Sequence, residues 1–203
     1  MAMTDTTTKP SYLGLLNAIS LAETEAGVYL EAWANATNDA ELCDTLRLVA
    51  ARETSHGELF CRRLNELGYD LRPKPDPKAA ARLARYANPK ISDCEKVGPE
   101  REETGAEPFA DIRKAIADGV YDDMTCNMLQ WYINEELDSG RRLNAVYAKV
   151  REKAGMTSSK KKANGHAAAE MEAAPSADAQ AIMACMTAGF ASLQKSIEKL
   201  AKK

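Results

Sequence analysis

Four long stretches of this chain repeat their apolar residues at spacings of three and four, and no segment alternates convincingly with period two, so the pattern predicts an all-α protein. The first helix is expected from about Ser11 to Ala34, with Leu16, Ile19, Glu23, Ala26, Leu30 and Trp33 on one stripe. Asn38 and Glu41 offer a capping box to a second helix, which turns Leu46, Val49, Ala50, Phe60, Leu64 and Leu67 inward and stops at Gly68. The short loop between the two makes them antiparallel neighbours. Pro73, Pro75, Pro77, Pro89 and Pro99 break the next stretch. They leave room for a short helix from Asp76-Pro77 to about Asn88 and a single turn after Ser92. Pro108 opens another short helix to about Ala117, edged by Phe109, Ile112 and Ile116 and ended by Asp118-Gly119. A long helix follows from about Asp122 to Lys153, its stripe reading Leu129, Tyr132, Ile133, Glu136, Gly140, Leu143, Val146, Tyr147 and Val150.

The organisation expected from this pattern is a disordered start over residues 1–10, a helical bundle over 11–154, a flexible linker over 155–176 and an amphipathic helix over 177–203. Ile182, Met186, Phe190, Leu193, Ile197 and Leu200 form the apolar face of that last helix. Such a face has to be covered by the bundle, by a second copy of the chain in a homo-oligomer, or by a protein partner. The second half also echoes the first. Sliding residues 34–57 by 83 positions superposes Ala34 on Ala117, Asp39 on Asp122, Cys43 on Cys126, Leu46 on Leu129, Glu53 on Glu136 and Gly57 on Gly140. Read as a repeat, this implies two related helical hairpins facing each other.

Apolar residues make up 45% of the chain and charged residues 28%, the range of a globular protein with one ordinary core. A formal charge of −3 gives no reason to expect nucleic acid or an anionic membrane as partner. No run of 18 apolar residues is present, and the first ten residues lack the basic and apolar regions of a signal peptide. Cys43, Cys61, Cys94, Cys126 and Cys185 are odd in number and widely spaced, which argues against a disulfide framework or a thiolate zinc site. Reduced thiols and a cytoplasmic location are the expectation. Of the two histidines, His166 lies in a segment with no apolar period, so only His56 is available to a core site.

Glu53-Thr-Ser-His56 is where the pattern turns chemical. Glu53 and His56 lie one turn apart on the inward stripe of the second helix. Glu23 and Glu136 lie on the stripes of two other helices. Burying an unpaired charge costs several kcal/mol, so inward acids on three helices beside an imidazole point to a metal cluster. Carboxylates bind iron or manganese through hard oxygens and can bridge two ions, and a neutral imidazole completes the sphere. The residues leave alternatives open. Glu25 replaces Glu23 if the first helix is rotated toward Ala18, Leu21, Ala22, Val28 and Tyr29. Asp138 competes with Glu136, which can instead pair with Arg141 or Arg142. Glu53 and His56 can also form a metal-free ion pair. Glu107 reads as a first-turn acid favoured by the helix dipole. Tyr29, Trp33, Trp131 and Tyr132 read as core, or as rings close to the cluster.

A glutamate on the first helix followed thirty residues later by Glu-x-x-His on the second resembles the ferritin-like superfamily of di-iron carboxylate proteins, which includes ferritins and rubrerythrins. The resemblance covers residues 12–70 clearly and 107–150 more weakly. It implies an antiparallel four-helix bundle with a Pro-rich insertion and a tethered C-terminal helix. It also implies iron as cofactor, as two ions or one, with manganese as the alternative. Carried over, Glu23 and His56 are terminal ligands, Glu53 bridges, and Glu136 ligates the second ion. Two departures stand out. Glu136-Leu-Asp-Ser139 replaces the second Glu-x-x-His of rubrerythrins, and no rubredoxin-type cysteine set is present. The function implied is an iron-dependent oxidoreductase or ferroxidase-like activity using O2 or peroxide. The alternative is a non-enzymatic helical interaction module with a degenerate or structural metal site.

Overall fold

The computed structural model describes residues 9–99 and 107–155. Among them are six helices and no strand: α1 (Leu13–Ala34), α2 (Ala40–Glu66), α3 (Ala79–Ala87), α4 (Asp93–Val97), α5 (Ala110–Ala117) and α6 (Asp123–Lys153). The all-α expectation holds for these residues. The amphipathic stretch 177–203, the linker before it and His166 lie outside the described residues. No described helix is long and apolar enough to cross a membrane.

Local chemistry sets the helix starts. The N-cap of α2 is Asp39, not Asn38: its carboxylate accepts the Leu42 N–H at 3.1 Å while its own N–H goes to Thr37 Oγ1. Asp122 caps α6 in the same way, accepting the Thr125 N–H at 3.0 Å. Ser92 and Glu95 form a reciprocal capping box on α4. Left-handed glycines follow the C-terminal ends of α2 and α5, Gly68 at φ 81° and Gly119 at φ 67°.

Three helices are long rods of 22, 27 and 31 residues, and three are short pieces of 9, 5 and 8. Four long rods are therefore more than the described residues hold. α5 is the short helix expected after Pro108, so the second hairpin implied by the repeat has no long first rod among the described residues. Phe109, left-handed at φ 62°, begins α5, and Gly119 ends it, so it runs barely two turns. Glu107 lies before α5 rather than in its first turn, exposed and paired with Arg113 at 3.3 Å.

α1 and α2 pack antiparallel, with Ser20 reaching Gly57, Gly27 facing Thr54, and Ala34 meeting Cys43. The seam is nearly two-fold symmetric because Glu-Thr-x-x-Gly occurs on both helices, at 23–27 and 53–57. Each threonine hydroxyl donates to a carbonyl of its own helix, Thr24 to Ser20 and Thr54 to Ala50. Each then lies over the glycine of the other helix. A Cβ added at Gly27 would fall 2.3 Å from Thr54 Oγ1, and one at Gly57 would fall 2.3 Å from Thr24 Oγ1. Only glycine permits this approach of the two backbones.

α6 runs antiparallel along α2. Arg63 bonds Asp122 at 2.7 Å and Thr125 at 3.1 Å, Arg52 bonds Asp138 at 2.8 Å, and Lys153 bonds Asp39 at 2.5 Å. Near the C-terminal end of α1, Trp33 is sandwiched between Tyr86 of α3 and Tyr147 of α6, and its indole N–H donates to Asp93 of α4 at 2.7 Å. All six helices contribute to one core.

Two outcomes test this packing. Gly57→Ala is expected to destabilise the protein. Overpacking of about 1–3 kcal/mol outweighs the roughly 1 kcal/mol by which alanine is the better helix former. Adding Thr24→Ala recovers part of the loss in urea titrations; a neutral Gly57→Ala would mean that the helices do not approach so closely. Asp122→Ala is expected to cost about 1 kcal/mol for the cap, plus the bonds from Arg63 and Tyr12. Burial by itself raises the Asp122 carboxyl, but the bonds from Tyr12, Thr125 and Arg63 outweigh it and hold the group well below the usual carboxylate range. Its contribution is therefore complete above the unfolded value of about 3.9 and disappears as pH falls through the lower folded one. The stability gap between wild type and Asp122→Ala should stay constant from neutral pH down to about 5 and close in stronger acid.

Candidate metal centre

The symmetric seam places two acids side by side. One residue before each threonine of the Glu-Thr-x-x-Gly pair comes a glutamate, Glu23 on α1 and Glu53 on α2, and both turn away from the seam toward the core. One turn after Glu53 on α2, His56 faces the same way, and α6 brings Glu136 to it. The four side chains are sealed from solvent: Glu23 and His56 are 0% exposed, Glu53 1% and Glu136 3%. Each offers one donor atom, and the four atoms lie within 4.8 Å of one another. That span suits donors around a shared metal, whose bonds to nitrogen and oxygen are about 2.0–2.2 Å.

Hydrogen bonding divides Glu23 and His56 each into an outer and an inner atom. Tyr132 donates its hydroxyl to Glu23 Oε1 at 2.7 Å, which leaves Glu23 Oε2 facing inward without a partner. His56 Nε2 lies 2.9 Å from Glu135 Oε2. A carboxylate there fixes the proton on Nε2 and turns the Nδ1 lone pair toward the centre. Nδ1 is 3.2 Å from Glu136 Oε1, an ion pair when the imidazole is protonated, although neither atom has an aligned hydrogen bond. Glu53 Oε2 is the third buried oxygen of the cluster in the same condition. Buried acceptors aimed at one another repel unless a cation stands between them. The cluster can hold a metal, and the unpartnered atoms are the ones a metal would use.

The electrostatics agree. Burial, reinforced by Glu23 and Glu136, pushes the Glu53 carboxyl well above the ordinary carboxylate range. Burial and Glu23 push Glu136 up to about 7 against the relief given by His56. Burial disfavours the charged form of His56, yet Glu136 and Glu135 outweigh it and raise its pKa. Burial raises the Tyr132 hydroxyl far above its usual value, with Glu23 adding to the shift, so it stays a neutral donor.

The structure shows which acids of α1 and α6 face inward. Glu25 faces away from the cluster to Arg82, with its Oε1 3.0 Å from Arg82 Nε, and Val28 on the rival side of α1 is 52% exposed. Asp138 is held by Arg52 at 2.8 Å and Arg142 at 2.6 Å, which leaves Glu136 as the inward acid of α6. Ser139, at the position of the absent second histidine, is buried and accepts from Arg52 at 3.2 Å. The reading of the four aromatic residues splits. Tyr132 and Trp131 both meet His56 edge-on, at 5.0 and 5.1 Å between ring centres. Tyr29 and Trp33 belong to the stack on Tyr86. Trp131 is not core, being 42% exposed.

Sequence reasoning missed Glu135 and Arg52. Arg52 Nε is 3.9 Å from Glu135 and links that carboxylate to Asp138 and Ser139. Both residues lie on the boundary between core and solvent, where no apolar stripe marks them. The signals available were the doubled acid Glu135-Glu136 and the thirty-residue recurrence of Glu-Thr-x-x-Gly, which also selects Glu23 over Glu25.

The apoprotein is expected to lose stability as pH rises from about 5 to 8. Between its ordinary value of 4.5 and about 7, folded Glu136 keeps a proton that the unfolded chain has released, so folding weakens with each unit of pH. His56, raised above its ordinary 6.5, adds stability that is full below that value and lost as pH climbs through the folded one. The two slopes have the same sign, at about 1.4 kcal/mol per unit for one proton. Denaturant titrations of chelator-treated protein should show the decline. Glu53→Gln should flatten it, and a bound dication should remove it.

The chain matches no protein-family model, no curated protein and no solved structure, so the chemistry of this cluster rests on its own geometry.

Proposed function

We propose that this chain is a ferritin-like metal protein in which Glu23, Glu53, His56 and Glu136 hold iron for redox chemistry with O2 or peroxide. The observation that carries this reading is the convergence of four sealed residues that can each bring a ligand atom within 4.8 Å of the others, each with a buried polar atom lacking a hydrogen-bond partner. Three carboxylates and one imidazole form a hard, oxygen-rich set suited to iron or manganese. Three long helices carrying inward acids support the ferritin-like architecture, with α5 standing in for a longer rod.

When bound, iron would supply the electrons that O2 or peroxide accepts. The chain's residues do the rest. Glu53, whose buried carboxyl feels the charges of both Glu23 and Glu136, would hold the metal together with them. Glu135 holds His56 in one tautomer, and Tyr132 fixes the rotamer of Glu23. Ile19, Val49, Phe60 and Ile133, each one turn from a ligand and buried, keep bulk water from the centre. One observation favours a quieter role as a structural metal site: the second imidazole is replaced by Ser139, which Arg52 already engages.

Iron uptake and oxidation separate the two. Apoprotein titrated anaerobically with Fe(II) should bind it, and admission of air should produce ferric absorbance in the near ultraviolet. Glu53→Ala and His56→Ala should abolish both steps, and Glu135→Gln should weaken metal binding by roughly 10–100-fold while the protein stays folded. A folded wild type that binds Fe(II) without oxidising it faster than buffer would leave a structural metal. One that binds no metal would end the proposal.

A further inference from the structure

Trp131 is the one described aromatic residue that both touches the cluster and meets solvent. Its indole packs edge-on against the His56 ring, with centres 5.1 Å apart and planes at 86°. At 42% exposed it is among the most open large apolar side chains described, whereas the imidazole beneath it is 0% exposed. Core packing does not explain a tryptophan in this position, because much of its ring stays in water. Tyr132, the other ring on His56, is fully buried and has no face to the outside. Trp33 is buried against Tyr86 and Tyr147, away from the ligands. The ring of Trp131 is thus a conjugated bridge from solvent to a ligand of the cluster.

We propose that Trp131 is the port through which single electrons pass between an external one-electron donor and a metal held at His56. This rests on the redox reading of the cluster. The step balances simply: the donor at the Trp131 face loses one electron and is oxidised by one unit, and the metal gains that electron and is reduced by one unit. The indole ends as it began, and no bond is made or broken. Delivery through the ring keeps the donor outside while the centre stays dry. Glu135, the partly buried carboxylate on the other ring nitrogen of His56, keeps the imidazole aligned with the bridge.

Two measurements test the port. The first is stopped-flow reduction of the ferric protein by the methyl viologen radical cation under argon, for wild type, Trp131→Phe and Trp131→Leu. Metal content and ferric spectrum should be the same in all three. Reduction should slow at least about tenfold in both variants, with Trp131→Tyr intermediate. The second is fluorescence. The emission belonging to Trp131, taken as wild type minus Trp131→Phe, should survive loading with redox-silent Zn(II) and be strongly quenched in the ferric form. Equal reduction rates, or equal emission with zinc and ferric iron, would overturn the port and leave the metal centre intact. Failure to load or oxidise iron at all would instead remove the redox reading on which the port depends.

Discussion

Three carboxylates in a water-free centre are the constraint around which this structure is arranged. Each is costly to bury alone, and together they repel. A helical core has many apolar solutions, and none of them calls for Glu23, Glu53 and Glu136 at adjacent positions with an imidazole between them. The surrounding bonds reduce the cost on the outer side only. Tyr132 satisfies one oxygen of Glu23, and Glu135 orients His56, while the inward atoms remain without partners. The polar groups are thus gathered rather than dispersed, and His56 relieves the charge of Glu136 only in part. They are held in place with their unsatisfied atoms converging.

The backbone architecture serves that convergence. Glycine at 27 and 57 lets α1 and α2 close on each other, and threonine at 24 and 54 fills the space above each glycine. Because the motif recurs on antiparallel rods, the glutamate beside each threonine emerges at the same level of the seam. α6 is then fixed lengthwise on α2 by Arg63, Arg52 and Lys153, which sets the height at which Glu136 meets His56. The helix starts matter for the same reason. Asp39 and Asp122 each cap a rod and also bind a basic residue of the opposite rod, so the register of the helices and the beginning of each are set by the same side chains.

The seam between α2 and α6 also gives the centre an outside. Glu135, Arg52, Asp138 and Trp131 lie where the core meets water, and two of them touch His56. A site otherwise closed therefore communicates with solvent through His56, by a carboxylate on one ring nitrogen and an indole against the ring.

Periodicity determined the long helices, because burial of one face imposes spacings of three and four whatever lies opposite, and prolines and turn residues marked out the short ones. It also placed Glu23, Glu53, His56 and Glu136 on inward stripes, and it exposed the oddity of acids there. Periodicity did not decide between Glu23 and Glu25, or between Glu136 and Asp138. Neighbouring positions on a helix differ by about a hundred degrees, and only the partner helix says which angle is inside. Tertiary packing made those choices through the glycine–threonine seam and the arginines on the rim. It also moved Trp131 from core to surface and recruited Glu135. The roles of these last two depend on distances across the α2–α6 seam, between residues about eighty positions apart in the chain, and a one-dimensional pattern carries no record of such distances.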